Sequence, residues 1–328
     1  MNDILIKEIL LCPKCKSPLP CKCGYELKVK ESIIQLTDLP NINTAESEED
    51  KYIGYEHIGE NFSGYDGKVI ISEVNKKVSK IIKETIKDGI LLDLGCGDGL
   101  FTIPLIMENV RVIAGDISNR MLRLIQEKAK LLNLDSTLVT LIRMNAYDIP
   151  LADNSVDAII ANSMLHLNSN PTKIIREIYR VLKPNGKYIC LDDRPHVDDS
   201  DNTFDNHEYN DRLEFHHRYF TYLNEMNIHP VRYSWKFDRD EYCNQLFKSS
   251  IERSLDITKK IERQTFYDGF YKRMKAKGFS DQSIVPDDIH KVIFDKVDKE
   301  MIDKYGENYN DAVYIYYSNQ KFIKIYEK

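Results

Sequence analysis

Two groups of residues have types and spacings that chemistry can use. The first is Asp93-Leu94-Gly95-Cys96-Gly97-Asp98-Gly99, an acidic residue followed by three glycines at alternate positions, with a second carboxylate at Asp116. Glycines at such a turn let the backbone pass close to a ligand and aim its amides from the start of a helix, an arrangement suited to an adenosine-bearing cofactor. The dinucleotide fingerprint is G-x-G-x-x-G; the tighter spacing here, with Asp116 ending the next strand, fits paired ribose hydroxyls better than a pyrophosphate. The second group is Cys12-Pro13-Lys14-Cys15 with Cys21-Lys22-Cys23, four soft ligands in a segment too short to fold unaided. This predicts one structural, tetrahedral zinc held by Cys12, Cys15, Cys21 and Cys23. The C-x-C pair strains a chelate on one metal, so His57 stands as an alternative ligand, and free thiols or a redox role as the alternative to metal. A closed set of four thiolates leaves no position for water or substrate, and no chemistry is assigned to it.

The elements that must position these groups follow from periodicity. Val69, Ile70, Val74, Val78, Ile81 and Ile82 recur at helical spacing as far as Asp88-Gly89. Ile90–Leu94 reads as a short buried strand entering the glycine turn, followed by a helix to about Glu108 and a strand from Val110 to Gly115. A helix from Asn119 to Asn133, strands at Leu138–Ile142 and Val156–Ala161, a helix from about Pro171 to Leu182 and a strand at Lys187–Leu191 continue the alternation. That order predicts an α/β fold built on a doubly wound, Rossmann-like parallel sheet. The expected organisation is a zinc-ribbon-like head over 1–40, a linker or entry segment over 41–67, a cofactor-binding core over 68–194, a mainly helical substrate lid over 195–310, and two closing strands of the sheet over 311–328. As a separate module, the head is expected to leave cofactor affinity untouched. No internal repeat is evident.

Four motifs in order carry a resemblance: Leu91 to Gly99, Gly115-Asp116-Ile117-Ser118, Asn145 to Asp157, and Glu177-x-x-Arg180-Val181-Leu182-Lys183-Pro184-Asn185-Gly186. Over about residues 68–193 the chain resembles the class I S-adenosylmethionine-dependent methyltransferases, in the branch of ubiquinone/menaquinone-biosynthesis type (methyltransferase type 11). The resemblance implies S-adenosylmethionine as cofactor, with Gly95 and Gly97 near its methionine part, Asp116 on the ribose and Asn145 with Ala146 beside the adenine. Asp93, Gly99, Ile117 and Asn162 complete the implied cofactor-binding set. The family usually has Asp where Asn145 stands. Taken singly, Asp93 reads equally well as a strand-end residue, Asp116 as a helix-entry carboxylate and Asn145 as a turn former. In layout alone, head plus core also resembles bacterial methyltransferases with a short zinc ribbon, including those of ribosomal RNA guanines.

Composition narrows the partners. In 328 residues, 46 Lys and Arg stand against 52 Asp and Glu, a net charge of −6, which disfavours a general binder of nucleic acid or anionic lipid. Apolar runs such as Ile90–Leu94 and Ala158–Ala161 are far short of a membrane span, Met1-Asn2-Asp3 opens no leader, and seven cysteines are an odd number for a disulfide framework. The expectation is a cytoplasmic protein with no membrane partner.

Methyl transfer from a sulfonium is an in-line displacement, and a base is needed only when the acceptor must lose a proton. Acceptor-side candidates are Asn162, Ser163 and His166 after the fourth strand, Asp192, Asp193 and Arg194 after the fifth, and Tyr52, Tyr55 and His57 in the entry segment. His166, Tyr55 and Arg194 are the candidate catalytic residues, although a structural role is the better reading for His166. In the insert, Leu213, His216, Phe220 and Leu223 predict a buried helical face, with Glu214, His217 and Arg218 toward solvent. Residues 248–277 hold nine basic and four acidic groups interleaved with Phe266, Tyr267, Phe270 and Tyr271, the one feature that favours RNA. The expected function is methyl transfer to a small-molecule acceptor under the lid; a ribosomal or transfer RNA base methyltransferase and a non-catalytic cofactor-binding scaffold are the alternatives.

Overall fold

The computed structural model describes residues 8–37, 69, 71–194, 207–228, 237–255, 261–279, 282, 285–317 and 320–328. In chain order the elements are β1 (Lys28–Lys30), β2 (Ile33–Gln35), α1 (Glu73–Ile86), β3 (Ile90–Leu94), α2 (Thr102–Met107), β4 (Arg111–Asp116), α3 (Asn119–Leu131), β5 (Val139–Arg143), β6 (Val156–Ile160), α4 (Pro171–Val181) and β7 (Leu182–Arg194). The remainder comprises α5 (His207–Glu225), α6 (Arg239–Leu246), β8 (Ser249–Ser254), β9 (Ile261–Thr265), α7 (Lys272–Lys275), α8 (Asp287–Tyr305), β10 (Val313–Tyr317) and β11 (Gln320–Glu327). Every residue of β3 is buried, as a central parallel strand covered on both faces requires. Helix starts are set by local chemistry. Ser72 caps α1, the Ser118 hydroxyl accepts from the Met121 amide at 3.2 Å to start α3, and Asn170 caps α4 just before Pro171.

Nine strands form the main sheet in the order β1-β2-β5-β4-β3-β6-β7-β11-β8. Strands β2, β5, β4, β3, β6 and β7 are parallel, while β11 runs antiparallel between β7 and β8. From β3 the chain winds outward through β4 to β5 and then crosses back to β6 on β3's other side. The carboxyl ends of β3 and β6 therefore flank the crevice where such sheets place ligands.

Four expectations need correcting. The cysteine head is not a detached module: β2 pairs parallel to β5 (Ile34 opposite Ile142), and Leu10, Ile34 and Leu36 pack in one apolar core with Leu92 and Ile113. Of the two closing strands, β11 enters the main sheet while β10 pairs with β9 in a separate ribbon, because alternation marks a strand without choosing its partner. The insert, expected as a mainly helical lid, also belongs to the sheet, since it supplies β8 as the outer strand. Its helices α5, α7 and α8 gather around an aromatic core of their own, with Phe215, Tyr219, Leu223, Phe266, Phe270, Tyr271 and Phe294 buried, while α6 packs on the sheet through Cys243. Finally, the buried stripe of α5 runs through Phe215, Tyr219 and Leu223, one residue away from His216, which is half-buried against Phe220. Glu214 and Arg218 are likewise drawn from solvent, Glu214 to Lys304 and Tyr305, Arg218 to Glu300 of α8. The expected linker over 41–67 lies outside the described residues. Among the described residues no helix is long and apolar enough to cross a membrane.

Candidate active site

The turn after β3 is shaped by its glycines and held by Asp116. Gly95, Gly97 and Gly99 all have positive φ, at 67°, 53° and 88°. A side chain at Gly97 would meet no atom within 4 Å, so that glycine faces open space, whereas one at Gly99 would come within 2.9 Å of Ile125 Cγ1 and 3.1 Å of Ile103 Cγ1. Gly97 thus keeps the cavity open and Gly99 lets helices approach. The amides of Gly95 and Cys96 donate to the Gly115 carbonyl at 2.8 and 3.1 Å, and the Gly97 amide donates to Asp116 Oδ2 at 2.9 Å. Asp116 Oδ1 takes the Ser118 amide at 2.9 Å, so one carboxylate ties the turn to the start of α3. From behind, Lys128 of α3 binds Asp98 through both its carbonyl and its carboxylate, a largely buried ion pair.

Asp93 is buried beside this turn and accepts a 2.5 Å bond from Thr102 Oγ1. Burial pushes its carboxyl up to about 7 against the Thr102 hydrogen bond, and the nearby negative charge of Asp116 adds to the rise. Cys96 is also buried, and its thiol is raised well above the ordinary range by burial and by the surrounding carboxylates. It is a small residue within the turn and no nucleophile.

These residues open onto a cavity of about 190 Å3 at the carboxyl ends of β3, β4, β5 and β6. Asp93, Gly95, Gly97, Asp116, Ile117, Asn145, Ala146 and Asn162 all line it, so eight of the nine expected cofactor residues converge and only Gly99 stands behind the wall. Asn145 acts as a turn former, its Oδ1 accepting the Tyr147 amide at 2.9 Å. On the far side, Asn162 donates to the Ser163 hydroxyl at 3.0 Å, Ser163 sits at a φ of 54°, and buried Asn168 holds the Met164 carbonyl at 2.7 Å. The apolar lining of Leu94, Phe101, Met121, Met144, Met164 and Leu167 had no signature in the sequence. Met121 in particular reads as core and proves to be both core and wall.

Loop 145–153, which carries Asn145 and Ala146 of the cavity wall, is clamped by the fourth motif. Glu177 accepts the Ile149 amide at 2.9 Å, and Arg180 donates to the Ile149 and Leu151 carbonyls at 2.7 and 2.8 Å as well as to Glu177 and Asp153. Glu177 first and Asp153 second, each through a hydrogen bond and its charge, outweigh the half-buried guanidinium's desolvation and hold it firmly protonated. The Glu-x-x-Arg spacing is therefore scaffolding for the site.

The acceptor-side candidates separate. Asn162 and Ser163 line the cavity, but His166 is exposed and does not. Asp192 is bound by Arg239 at 2.7 and 2.9 Å. Asp193 and Arg194 are placed only as backbone at the end of β7, and Tyr52, Tyr55 and His57 lie outside the described residues. Among the described residues none from the insert lines the cavity.

In the head, the sulfurs of Cys12, Cys15, Cys21 and Cys23 all lie within 4.8 Å of one another, with Cys12–Cys23 at 3.6 Å and Cys21–Cys23 at 3.2 Å. A tetrahedron of sulfurs about 2.3 Å from one zinc has edges of about 3.8 Å, so both pairs converge within reach of a single ion. The Cys23 thiol is raised chiefly by its neighbour Cys21 while Cys21 is lowered by Cys23. Negative charge on sulfurs packed this closely is mutually repulsive, which a dication would relieve.

Residues 92–190 match the family model described as a methyltransferase domain. An uncharacterized chloroplastic methyltransferase of Arabidopsis thaliana is 34% identical over 131 residues, covering 39% of this chain and 36% of that protein. The ubiquinone/menaquinone biosynthesis C-methyltransferase of Pseudoalteromonas translucida is 36% identical over 105 residues, 31% of this chain and 41% of its own length. The demethylmenaquinone methyltransferase of Symbiobacterium thermophilum is 33% identical with the same coverage. The chain thus spans about two fifths of the length of the curated relatives it matches. Similar solved structures include a Bacillus subtilis protein, YcgJ, with a TM-score of 0.46, 18% identity and coverage of 78% of this chain and 99% of that one.

Proposed function

We propose that this chain, whose residues 92–190 form a class I S-adenosylmethionine-dependent methyltransferase domain, transfers a methyl group from that cofactor to a small-molecule acceptor. The observation that carries the reading is a single cavity lined jointly by the glycine turn, Asp116 and the 144–146 loop, at the sheet's switch point. The cofactor, when bound, supplies an activated methyl on a cationic sulfur. The chain's own residues do the rest. Gly97 leaves room for the ligand, Asp116 offers a carboxylate to paired hydroxyls, and Asp93 and Asp116 together favour positive charge in an otherwise mostly apolar hollow. Asn162 and Ser163 border the side on which an acceptor would lie. Alignment of the two reactants is the main contribution, a factor that can supply about 7–11 kcal/mol.

No general base is assigned among the described residues. Asp93 is engaged with Thr102, and His166 stands outside the cavity. The acceptor is therefore read as one that reacts without a proton being removed by a described side chain, or one deprotonated by the entry segment that carries Tyr55. The names of the menaquinone- and ubiquinone-type relatives make quinone-like molecules the first class to screen. The insert remains the proposed cover of the acceptor side. Of the aromatics in the basic segment, Phe266, Phe270 and Tyr271 are packed in the insert's core and only Tyr267 is exposed, which weighs against stacking on RNA bases.

Calorimetry with S-adenosylhomocysteine tests the cofactor. Micromolar-range binding is expected, weakened at least about tenfold in Asp116→Asn, which loses the charge but keeps an acceptor for the Gly97 amide. Absence of binding in the wild-type protein would sink the reading. Labelled methyl donor with metabolite extracts, read by mass spectrometry, tests the acceptor, and tight, salt-sensitive retention of ribosomal RNA would move the acceptor to RNA. Cys12, Cys15, Cys21 and Cys23 are proposed to hold one structural zinc; one equivalent by elemental analysis, lost in Cys12→Ser, is the expected result.

A further inference from the structure

We infer that metal loading of the cysteine head and cofactor affinity are coupled, with the loop from Asn145 to Ala152 as the shared element. The inference rests on the reading of the four thiolates as a zinc site and of the cavity as the cofactor site. It reverses the expectation that the head is indifferent to the cofactor.

The argument runs along one continuous path of backbone. Cys12 is fully buried, and its amide and carbonyl close the turn that carries Cys15, through Ser17 O at 2.8 Å and Lys16 N at 2.9 Å. The residues just before it, Ile9 to Leu11, lie between two partners. On one side Leu10 takes the Leu19 amide, which ties the first cysteine pair toward the second. On the other side the Leu11 amide donates to Pro150 O at 2.9 Å, the Ala152 amide donates to Ile9 O at 2.8 Å, and Leu10 bridges Leu151 antiparallel. The Leu10 and Leu151 side chains are buried in the same core as Met144 and Ile149. Lys16, inside the first knuckle, ion-pairs with Asp148, whose own amide donates to Asn145 O at 3.1 Å. Asn145 and Ala146 line the cavity.

Magnitudes decide which link matters. The Lys16–Asp148 pair is about half exposed at both ends and should contribute little. The backbone bonds and the buried Leu10–Leu151 contact are the strong links, because both are shielded from water. The segment before β1 buries few apolar side chains of its own, so its conformation depends on the metal. β2, paired with β5, and β1, paired with β2, do not. Loss of metal should therefore free residues 9–25 and slacken 145–152 while leaving the sheet intact. Clamping by Glu177 and Arg180 limits that slackening to a change in affinity.

The experiment uses the whole protein in three parts. Metal content is measured first; a preparation that holds no zinc and takes up none overturns the inference through its premise. Calorimetry then compares S-adenosylhomocysteine binding before and after stripping with a chelator, and a roughly tenfold weaker Kd is expected with far-ultraviolet dichroism nearly unchanged. No binding by the zinc-loaded protein means that the cofactor reading has failed, whereas equal affinity in both states means that the coupling has. Coupling must be reciprocal, so saturating S-adenosylhomocysteine should stabilise bound zinc by the same factor when measured by chelator competition. Leu10→Ala, with zinc retained, should weaken cofactor binding and raise hydrogen exchange in 145–152, while Lys16→Ala should change both by less than twofold. A Leu10→Ala protein with wild-type affinity and wild-type exchange in that loop would overturn the inference.

Discussion

Asp93 links titration to both stability and binding. Its carboxyl is raised to about 7 in the fold against about 3.8 when exposed, so between those values the folded state holds a proton that the unfolded state lacks. Stability from this group is therefore greatest at low pH, falls as pH rises from about 4 to 7, and stays reduced above that; the full swing is roughly 4 kcal/mol. Asp93→Asn keeps an acceptor for Thr102 and removes the swing, so thermal melts should show the variant gaining on wild type at pH 8 and matching it only below about pH 4. Binding should move oppositely. A cationic cofactor favours the ionised carboxyl, and calorimetry with S-adenosylmethionine should find affinity rising between pH 6 and 7.5 in wild type and flat in the variant. The glycines of the turn separate in the same way. Gly97→Ala places a methyl in the cavity and should abolish most cofactor binding for about 1–2 kcal/mol of backbone strain, whereas Gly99→Ala adds contact with Ile125 to similar strain and should cost more stability than affinity. The two roles could not be told apart from spacing alone. Both are glycines at alternate positions, and only the placement of α2 and α3 shows which one lines the cavity.

At the level of elements, the strand-turn-helix units between β3 and β7 were legible because each is short, strongly periodic and bounded by its own cap or glycine. Partnership between distant segments was not. Nothing local to Ile33–Gln35 announces that it will lie beside β5, and nothing in Val313–Tyr317 distinguishes it from β11 as a closing strand. The same limit applies to Glu177 and Arg180, which sequence marks only as a motif. Their function is visible once α4 is seen to hold the loop that runs past the cavity. Arg180→Ala should remove the ties to the Ile149 and Leu151 carbonyls, lower stability by about 2–4 kcal/mol and weaken S-adenosylhomocysteine binding several-fold, as denaturation and calorimetry would show. Retention of full affinity would mean that the loop is ordered without it.

Across the whole molecule, α5, α8 and the 266–274 segment of the insert gather in an apolar cluster separate from those that flank the sheet, whereas α6 and β8 join the sheet, so the first group should not melt with the second. Differential scanning calorimetry is expected to resolve two transitions, with Phe294→Ala lowering only that of the insert by about 3–5 kcal/mol. His290 gives that transition a pH signature. Burial lowers its pKa, so the insert loses stability as pH falls below the ordinary imidazole range, and Tyr219, bonded to its Nδ1 at 2.6 Å, shares that sensitivity. A single transition insensitive to acid would contradict this division. The placement of β11 has a further consequence, and it is evolutionary. β7 ends at Arg194 and its neighbour β11 begins at Gln320, so residues 195–319 form one long insertion closed by the sheet itself. Closing such a loop costs only about 0.6 kcal/mol more for each doubling of its length. The intervening segment can therefore grow, shrink or change its composition under selection, while the end of the sheet that carries the glycine turn and its cavity experiences almost none of that drift.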